Sequence, residues 1–235
     1  MQCYTRNTLL LAASILMVCF FTACATNQSR ETSPTTFLGD YSMLKEGGKD
    51  RALLLYVNPH ADFKAYNAIL LDPVRLYASG KHEMEKLTAE DRHKILDYAD
   101  ATIREQLAKD YTLLDQPGPG VMHIRVAVTE AEGARVVLDT VSTVIPITLA
   151  ARAMTALATG EWGFTGRAGI EVDILDSMSG ERLAAAVDRR TGGTVTGKGD
   201  KLKGWRTVKN SLDFWANRMR ERLVEASGLE QHIDE

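Results

Sequence analysis

Residues 122–129 read Met-His-Ile-Arg-Val-Ala-Val-Thr, and residues 168–175 read Ala-Gly-Ile-Glu-Val-Asp-Ile-Leu. In the first, Met122, Ile124, Val126 and Val128 alternate with His123, Arg125, Ala127 and Thr129. In the second, Ala168, Ile170, Val172 and Ile174 alternate with Gly169, Glu171, Asp173 and Leu175. Side chains on a strand point to opposite faces in turn, so each stretch predicts a half-buried strand with its apolar side inward. Asp176-Ser177-Met178-Ser179-Gly180 is a turn, and Leu183, Ala185 and Val187 continue on a return strand, which makes a β-hairpin.

Outward from this centre, the same reading places strands at Ala52–Val57, stopped by Asn58-Pro59, and at Ala68–Leu76. Pro73 inside the latter cannot donate to a ladder, so that strand lies at an edge or is bulged at Asp72-Pro73. Thr88 to Lys109 predicts a helix: Thr88 and Asp91 fit a capping box, and Ile95, Ala99, Ile103 and Leu107 recur every four residues. Tyr111–Leu114 is a short strand and Pro117-Gly118-Pro119-Gly120 a turn. A last helix carries Val208, Leu212, Trp215, Met219 and Leu223 and stops near Gly228. The expected class is α+β: a mixed or antiparallel sheet with helices packed mainly on one face, in a single domain.

The amino-terminal end has a different character. From Leu9 to Ala23 there are 15 residues without charge, behind a short head carrying Arg6. That suits the apolar core of a signal peptide and falls short of the ~20 residues of a membrane-spanning helix. The run closes Phe21-Thr22-Ala23-Cys24, small residues before a cysteine, which resembles the bacterial lipobox. The reading is a signal peptide at 1–23, acylation of Cys24, and a polar tether through residue 36 able to reach on the order of 40 Å at ~3.3 Å per residue. The alternative is an uncleaved anchor. More than one acyl chain makes anchoring stable. Ala25, not Asp, follows the cysteine. By the sorting rule of Gram-negative lipoproteins this implies the outer membrane, with the chain lipid-anchored through Cys24 and facing the periplasm. The periplasmic domain is expected over 37–229, with a short tail at 230–235.

Cys3 and Cys19 would leave with the signal, so no thiol or disulfide remains in the mature domain. Basic and acidic residues nearly balance, 28 against 31, which is not the basic bias of a nucleic-acid binder.

Motifs for chemistry are weak. Gly192–Lys198 (GGTVTGK) has phosphate-loop spacing, but Gly199 stands where a magnesium-binding hydroxyl belongs, so a glycine loop is the better reading. His60, His82, His93, His123 and His232 form no metal-binding spacing, and no G-x-S-x-G elbow occurs. No catalytic set, metal or cofactor is expected. Between Asp139 and Arg152 lie 12 uncharged residues interrupted by Pro146. They read as a buried helical hairpin or, if Val141–Ala151 is exposed, as a docking patch.

If the three strongest strands are neighbours, their polar sides carry His123, Arg125, Glu171, Asp173, Asp188 and Arg190. This is either a solvated face with cross-strand ion pairs, each worth under ~1 kcal/mol, or a charged recognition face.

The order of Leu38-x-Asp40-Tyr41-Ser42-x-Leu44, Tyr56-Val57-x-Pro59-x-Ala61-Asp62, Tyr66, Asp72-Pro73-Val74, Ala127-x-Thr129-Glu130 and Asp188-Arg189-Arg190 resembles bacterial lipoproteins of the domain of unknown function 3313 family. The resemblance covers the whole mature domain, with Asn58 where the family pattern has Asp. It implies no activity. Its α/β pattern is similar to accessory envelope lipoproteins such as penicillin-binding-protein activators and the curli secretion lipoprotein. The expectation is therefore a non-catalytic partner-binding or accessory factor, its partner an envelope protein or cell-wall polymer. The alternative is an envelope hydrolase or a carrier of a small apolar ligand, which requires a deep pocket. A homo-oligomer formed through an edge strand is a third reading.

Overall fold

The computed structural model describes residues 27–28, 34–77, 87–132, 166–192 and 202–229. Cys24, the Val141–Ala151 stretch, nearly all of the Gly192–Lys198 loop and the tail lie outside the described residues.

The strands are β1 (Asn27–Gln28), β2 (Lys45–Glu46), β3 (Leu54–Val57), β4 (Ala68–Leu71), β5 (Arg75–Leu76), β6 (Thr112–Leu114), β7 (Val121–Glu132), β8 (Arg167–Asp176) and β9 (Arg182–Thr191). The helices are α1 (Ala89–Leu107) and α2 (Leu202–Ser227). Among the described residues one nine-stranded sheet runs β2-β3-β9-β8-β7-β4-β6, with β1 on β9 and β5 on β7. β7, β8, β9 and β3 pair antiparallel, whereas β4 and β5 are parallel to β7, and β6 is parallel to β4. The fold is thus α+β with a mixed sheet.

Each element follows from local chemistry. In α1 the Thr88 hydroxyl accepts from the Asp91 amide at 3.0 Å and the Asp91 carboxylate accepts from the Thr88 amide, so both first-turn donors are satisfied. Ile95, Ala99, Ile103 and Leu107 are the buried stripe of α1. The strand expected over Ala68–Leu76 is divided at Asp72-Pro73. β4 lies inside the sheet, between β7 and β6, and Pro73 occupies the gap before β5, where no ladder bond is asked of it.

α1 and α2 cover one face of the sheet. Ile124, Val126, Val128, Ile170, Val172 and Ile174 meet Val208, Leu212, Trp215 and Leu223 in the main core. Among the described residues the opposite face carries no helix. Leu38, Ala185 and Val187 are buried there, with Phe37, Tyr41, Leu44, Leu54 and Tyr56 packed around them. The segment before β2 therefore lies across this second face, and β7, expected to be half-buried, is covered on both sides: Ala127 is as buried as Val126.

Described residues within the stretch expected as a tether contact the sheet. Asn27 and Gln28 pair with Thr191 and Arg190, and the Thr35 amide donates to Glu171 Oε1 at 2.8 Å.

The β8–β9 turn is held by Asp176. Its Oδ1 accepts from the Met178 and Ser179 amides at 3.0 and 2.6 Å, and Gly180 takes the left-handed conformation, φ 73°, that closes the turn. These donors, the Ser179 amide first, hold the Asp176 carboxyl below its ordinary 3.8. The unfolded chain therefore binds the proton more readily than the folded one. The stability that Asp176 contributes is present above 3.8 and lost as pH falls through its folded value. Urea unfolding measured from pH 6 down to about pH 2 should show a shallower acid loss in Asp176→Asn than in the natural chain.

Candidate functional site

The six charged residues read from the sequence do not share a face. Cross-strand register sets Arg125, Asp173 and Ala185 side by side, and Ala127, Glu171 and Val187 next to them. These residues, with His123, belong to the face opposite α1 and α2. Val128, Ile170 and Asp188 form another row, and Ala131, Ala168 and Arg190 a further one. Asp188 and Arg190 therefore point toward the helices. The expectation of a single charged face fails because residues 183–187 are apolar at every position, so alternation could not say which parity of β9 faces the helices. The ladder irregularity between Ile174 and Leu175 shifts the parity of the residues before it again.

Glu171 and Asp173 are fully buried, 0% exposed, and are not a recognition surface. A buried carboxylate has to be paired and hydrogen-bonded. Asp173 Oδ1 accepts from Arg182 Nε at 2.8 Å, and its Oδ2 accepts from the Arg125 guanidinium. Arg182 also donates to the carbonyls of Leu38 and Asp40, at 2.7 and 2.8 Å. Glu171 accepts from the Tyr41 hydroxyl at 2.5 Å and from the Thr35 amide. Burial first, and the Glu171 carboxylate second, push the Tyr41 hydroxyl above its ordinary 10.0. Arg125 lies 5.5 Å from the Phe37 ring centroid, and Phe37 stacks edge-on against Tyr77 at 5.7 Å. Together these contacts fasten the segment from Thr35 to Leu44 to the sheet. His123 stands apart, its Nε2 2.9 Å from Asp72 Oδ1.

On the helix side, Asp188 accepts from Trp215 Nε1 at 2.7 Å and from Gln28 Nε2 at 2.8 Å. The Arg190 guanidinium carbon lies 3.8 Å from the Phe214 ring centroid, and that of Arg218 lies 5.4 Å from the same ring. Burial, and then the Arg218 charge, lower the Arg190 value from its ordinary one, while Asp188 raises it. An arginine stays a cation throughout.

These residues stand at one end of a groove of about 620 Å³ between α2 and the β3–β9–β8 part of the sheet. Its floor is Leu55, Val57, Val172, Ile174, Ala184 and Ala186. The groove exists because β9 places alanines where larger side chains would meet the helix. Among the described residues its lining holds no histidine, serine or cysteine. Among the described residues, no cluster of three or more His, Cys, Asp or Glu could hold a metal ion.

Sequence reasoning singled out Arg125, Asp173, Asp188 and Arg190 but missed what they hold. Tyr41, Arg182 and Thr35 complete the clamp, and Gln28, Phe214 and Arg218 complete the groove. The Ala184-Ala185-Ala186 run was the available signal for a groove.

Residues 33–219 match the model of a protein family of unknown function, DUF3313. The chain belongs to that family. Its curated relatives include the uncharacterized lipoprotein YdcL of Escherichia coli K12, 24% identical over 209 residues, which covers 87% of this chain and 92% of that protein. Solved structures of similar shape include XCC0632 of Xanthomonas campestris, 9% identical with TM-score 0.40, covering 74% of this chain and 92% of that one. The PelC dodecamer of Paraburkholderia phytofirmans is 14% identical with TM-score 0.34, covering 74% and 94%. In this DUF3313 chain the family-like segments coincide with structural fastenings. Leu38, Asp40 and Tyr41 make the clamp contacts. Asn58, buried, donates to Glu181 Oε1 at 2.7 Å and accepts from the His60 amide at 2.9 Å.

The clamp makes a testable statement. Arg182→Met removes one partner of a fully buried carboxylate and both carbonyl contacts, so it should destabilise the domain by about 3 kcal/mol. Hydrogen exchange should show the Leu38 and Leu44 amides losing protection more than those of α1. Equal loss across the molecule would mean that Arg182 supports the fold generally rather than this segment.

Proposed function

We propose that the protein is a non-catalytic binding lipoprotein of the cell envelope, held on the periplasmic side of the outer membrane by acylated Cys24. Its binding site is the groove between α2 and β3, β8 and β9. The lipobox-like end with Ala25 after the cysteine supports the anchor and its location. The lipoprotein YdcL agrees with the anchor by name.

The observation that carries the binding role is the groove itself. At about 620 Å³ and with a mostly apolar lining, it has the size and chemistry of a small-molecule site. A cell-wall polymer would ask for hydroxyl and amide partners along its length, and the floor of alanine, valine, leucine and isoleucine offers none. Of the readings open in the sequence, the groove therefore favours a carrier of an apolar ligand over a polymer binder or an accessory factor for an envelope protein.

Cys24→Ser tests the anchor. The natural chain should take up labelled palmitate and fractionate with outer membranes, and the variant should do neither. A variant that matures and sediments unchanged would overturn the location, and the groove would have to be judged without a bilayer beside it.

A further inference from the structure

We propose that the groove binds a single-chain anionic amphiphile of the fatty-acid type. Its acid head lies by Arg190 and Arg218, and its hydrocarbon runs along β9 over Ala186 and Ala184 toward Phe63. This rests on the binding role proposed above and names the ligand class.

Three observations converge. The first is shape. From Arg190 to Ala184 the strand advances about 20 Å at ~3.3 Å per residue, so the floor is a long trough rather than a round cavity. Its width follows from the alanines. A leucine at Ala184 or Ala186 would project toward α2 and close it.

The second is polarity. The trough is apolar along the middle, and the arginines Arg190 and Arg218 converge on one phenyl ring at one end. Four arginines line the groove against three acids. Two of the acids are engaged: Asp188 by Trp215 and Gln28, and Glu225 by Arg222 at 2.6 Å. Arg218 also reaches Glu221 at 3.1 Å on the helix surface. Two guanidinium groups held around one ring repel each other, and a carboxylate bridging them would relieve that repulsion and desolvate a pairing suited to their forked geometry.

The third is position. Gln28 sits at the charged end, bonded to Asp188, and it is the fourth residue after Cys24. Four residues span at most about 14 Å, so an acylated Cys24 would keep this end of the trough beside the bilayer. A ligand whose head rests at the mouth and whose tail is buried could pass between membrane and groove with little exposure of hydrocarbon to water.

The test uses the chain from residue 24 onward as Cys24→Ser, which retains every described residue. Oleate binding is measured by isothermal calorimetry below its micelle concentration, with oleyl alcohol and acetate as controls. Oleate should bind one to one, acetate should not bind measurably, and oleyl alcohol should bind about tenfold more weakly. Arg218→Gln should bring oleate down to the alcohol's affinity while leaving alcohol binding unchanged. Ala186→Leu should abolish both, with the far-ultraviolet circular dichroism of the natural chain. Equal binding of oleate and oleyl alcohol would overturn the assignment of the head, and no binding of either would overturn the ligand class. A dimer that forms with rising concentration and is lost in Ala186→Leu, without oleate binding, would assign the groove to a second copy of the chain instead. None of these readings depends on where the protein is anchored, so a failed palmitate label and a failed titration remain distinguishable.

Discussion

Glu171 and Asp173 sit one residue apart on a central strand, both without solvent exposure, on the sheet face opposite α1 and α2. Leaving two carboxylates desolvated and unpaired would cost several kcal/mol each, so this face is stable only when something brings donors to it. Within the sheet Arg125 and Arg182 supply part of the answer. The rest comes from chain outside the sheet: the Thr35 amide, the Tyr41 hydroxyl, and the apolar cover of Phe37, Leu38 and Leu44. Apolar side chains alone could have covered the face, but they would not have specified where the segment lies. The two acids convert a general need for cover into a defined path, because Arg182 reads the carbonyls of Leu38 and Asp40 while it pairs with Asp173.

That path has a consequence for the anchor. A free twelve-residue leash would let the domain turn in any direction relative to the membrane. Asn27 and Gln28 are paired to β9 and Thr35 is bonded to β8, so the chain is tied to the sheet three residues after Cys24. Three residues span at most about 11 Å. If Cys24 is acylated as proposed, the end of the sheet where β1 meets β9 would be the end nearest the lipid.

The parts of this fold that could be read in the sequence are those where local pattern and tertiary role agree. Thr88 and Asp91 cap a helix wherever it is placed, and the four-residue recurrence from Ile95 to Leu107 needs only one core to face. β7 and β8 alternate cleanly in their polar and apolar residues, so both were legible, as was the Asp176–Gly180 turn. β9 was legible as a strand but not in its facing, because Leu183 to Val187 is apolar at both parities and both sheet faces are covered. The segment from Thr35 to Leu44 has no period at all. Its structure is dictated by partners more than 100 residues away, Glu171 and Arg182, and no local rule could place it. The charged residues of the candidate site were visible as residue types, yet their roles depended on the same unresolved parity.

β9 is where these constraints meet. Ala185 and Val187 pack against the N-terminal segment, while Ala184, Ala186, Asp188 and Arg190 line the groove. One strand is thus the common wall of the clamp and the groove, and a displacement of its backbone cannot serve one side without moving the other. Gln28 adds a direct link, since it pairs with Arg190 through the backbone and with Asp188 through its side chain. The hydrogen bonds that seat the residues nearest the anchor therefore also set the polar end of the trough. A chain needing only a spacer between lipid and domain would have no use for such bonds. With Cys24 acylated and the groove occupied as proposed, anchor, clamp and groove would work as one device, because the contacts that shape the groove are the ones that seat Asn27 and Gln28 on the sheet.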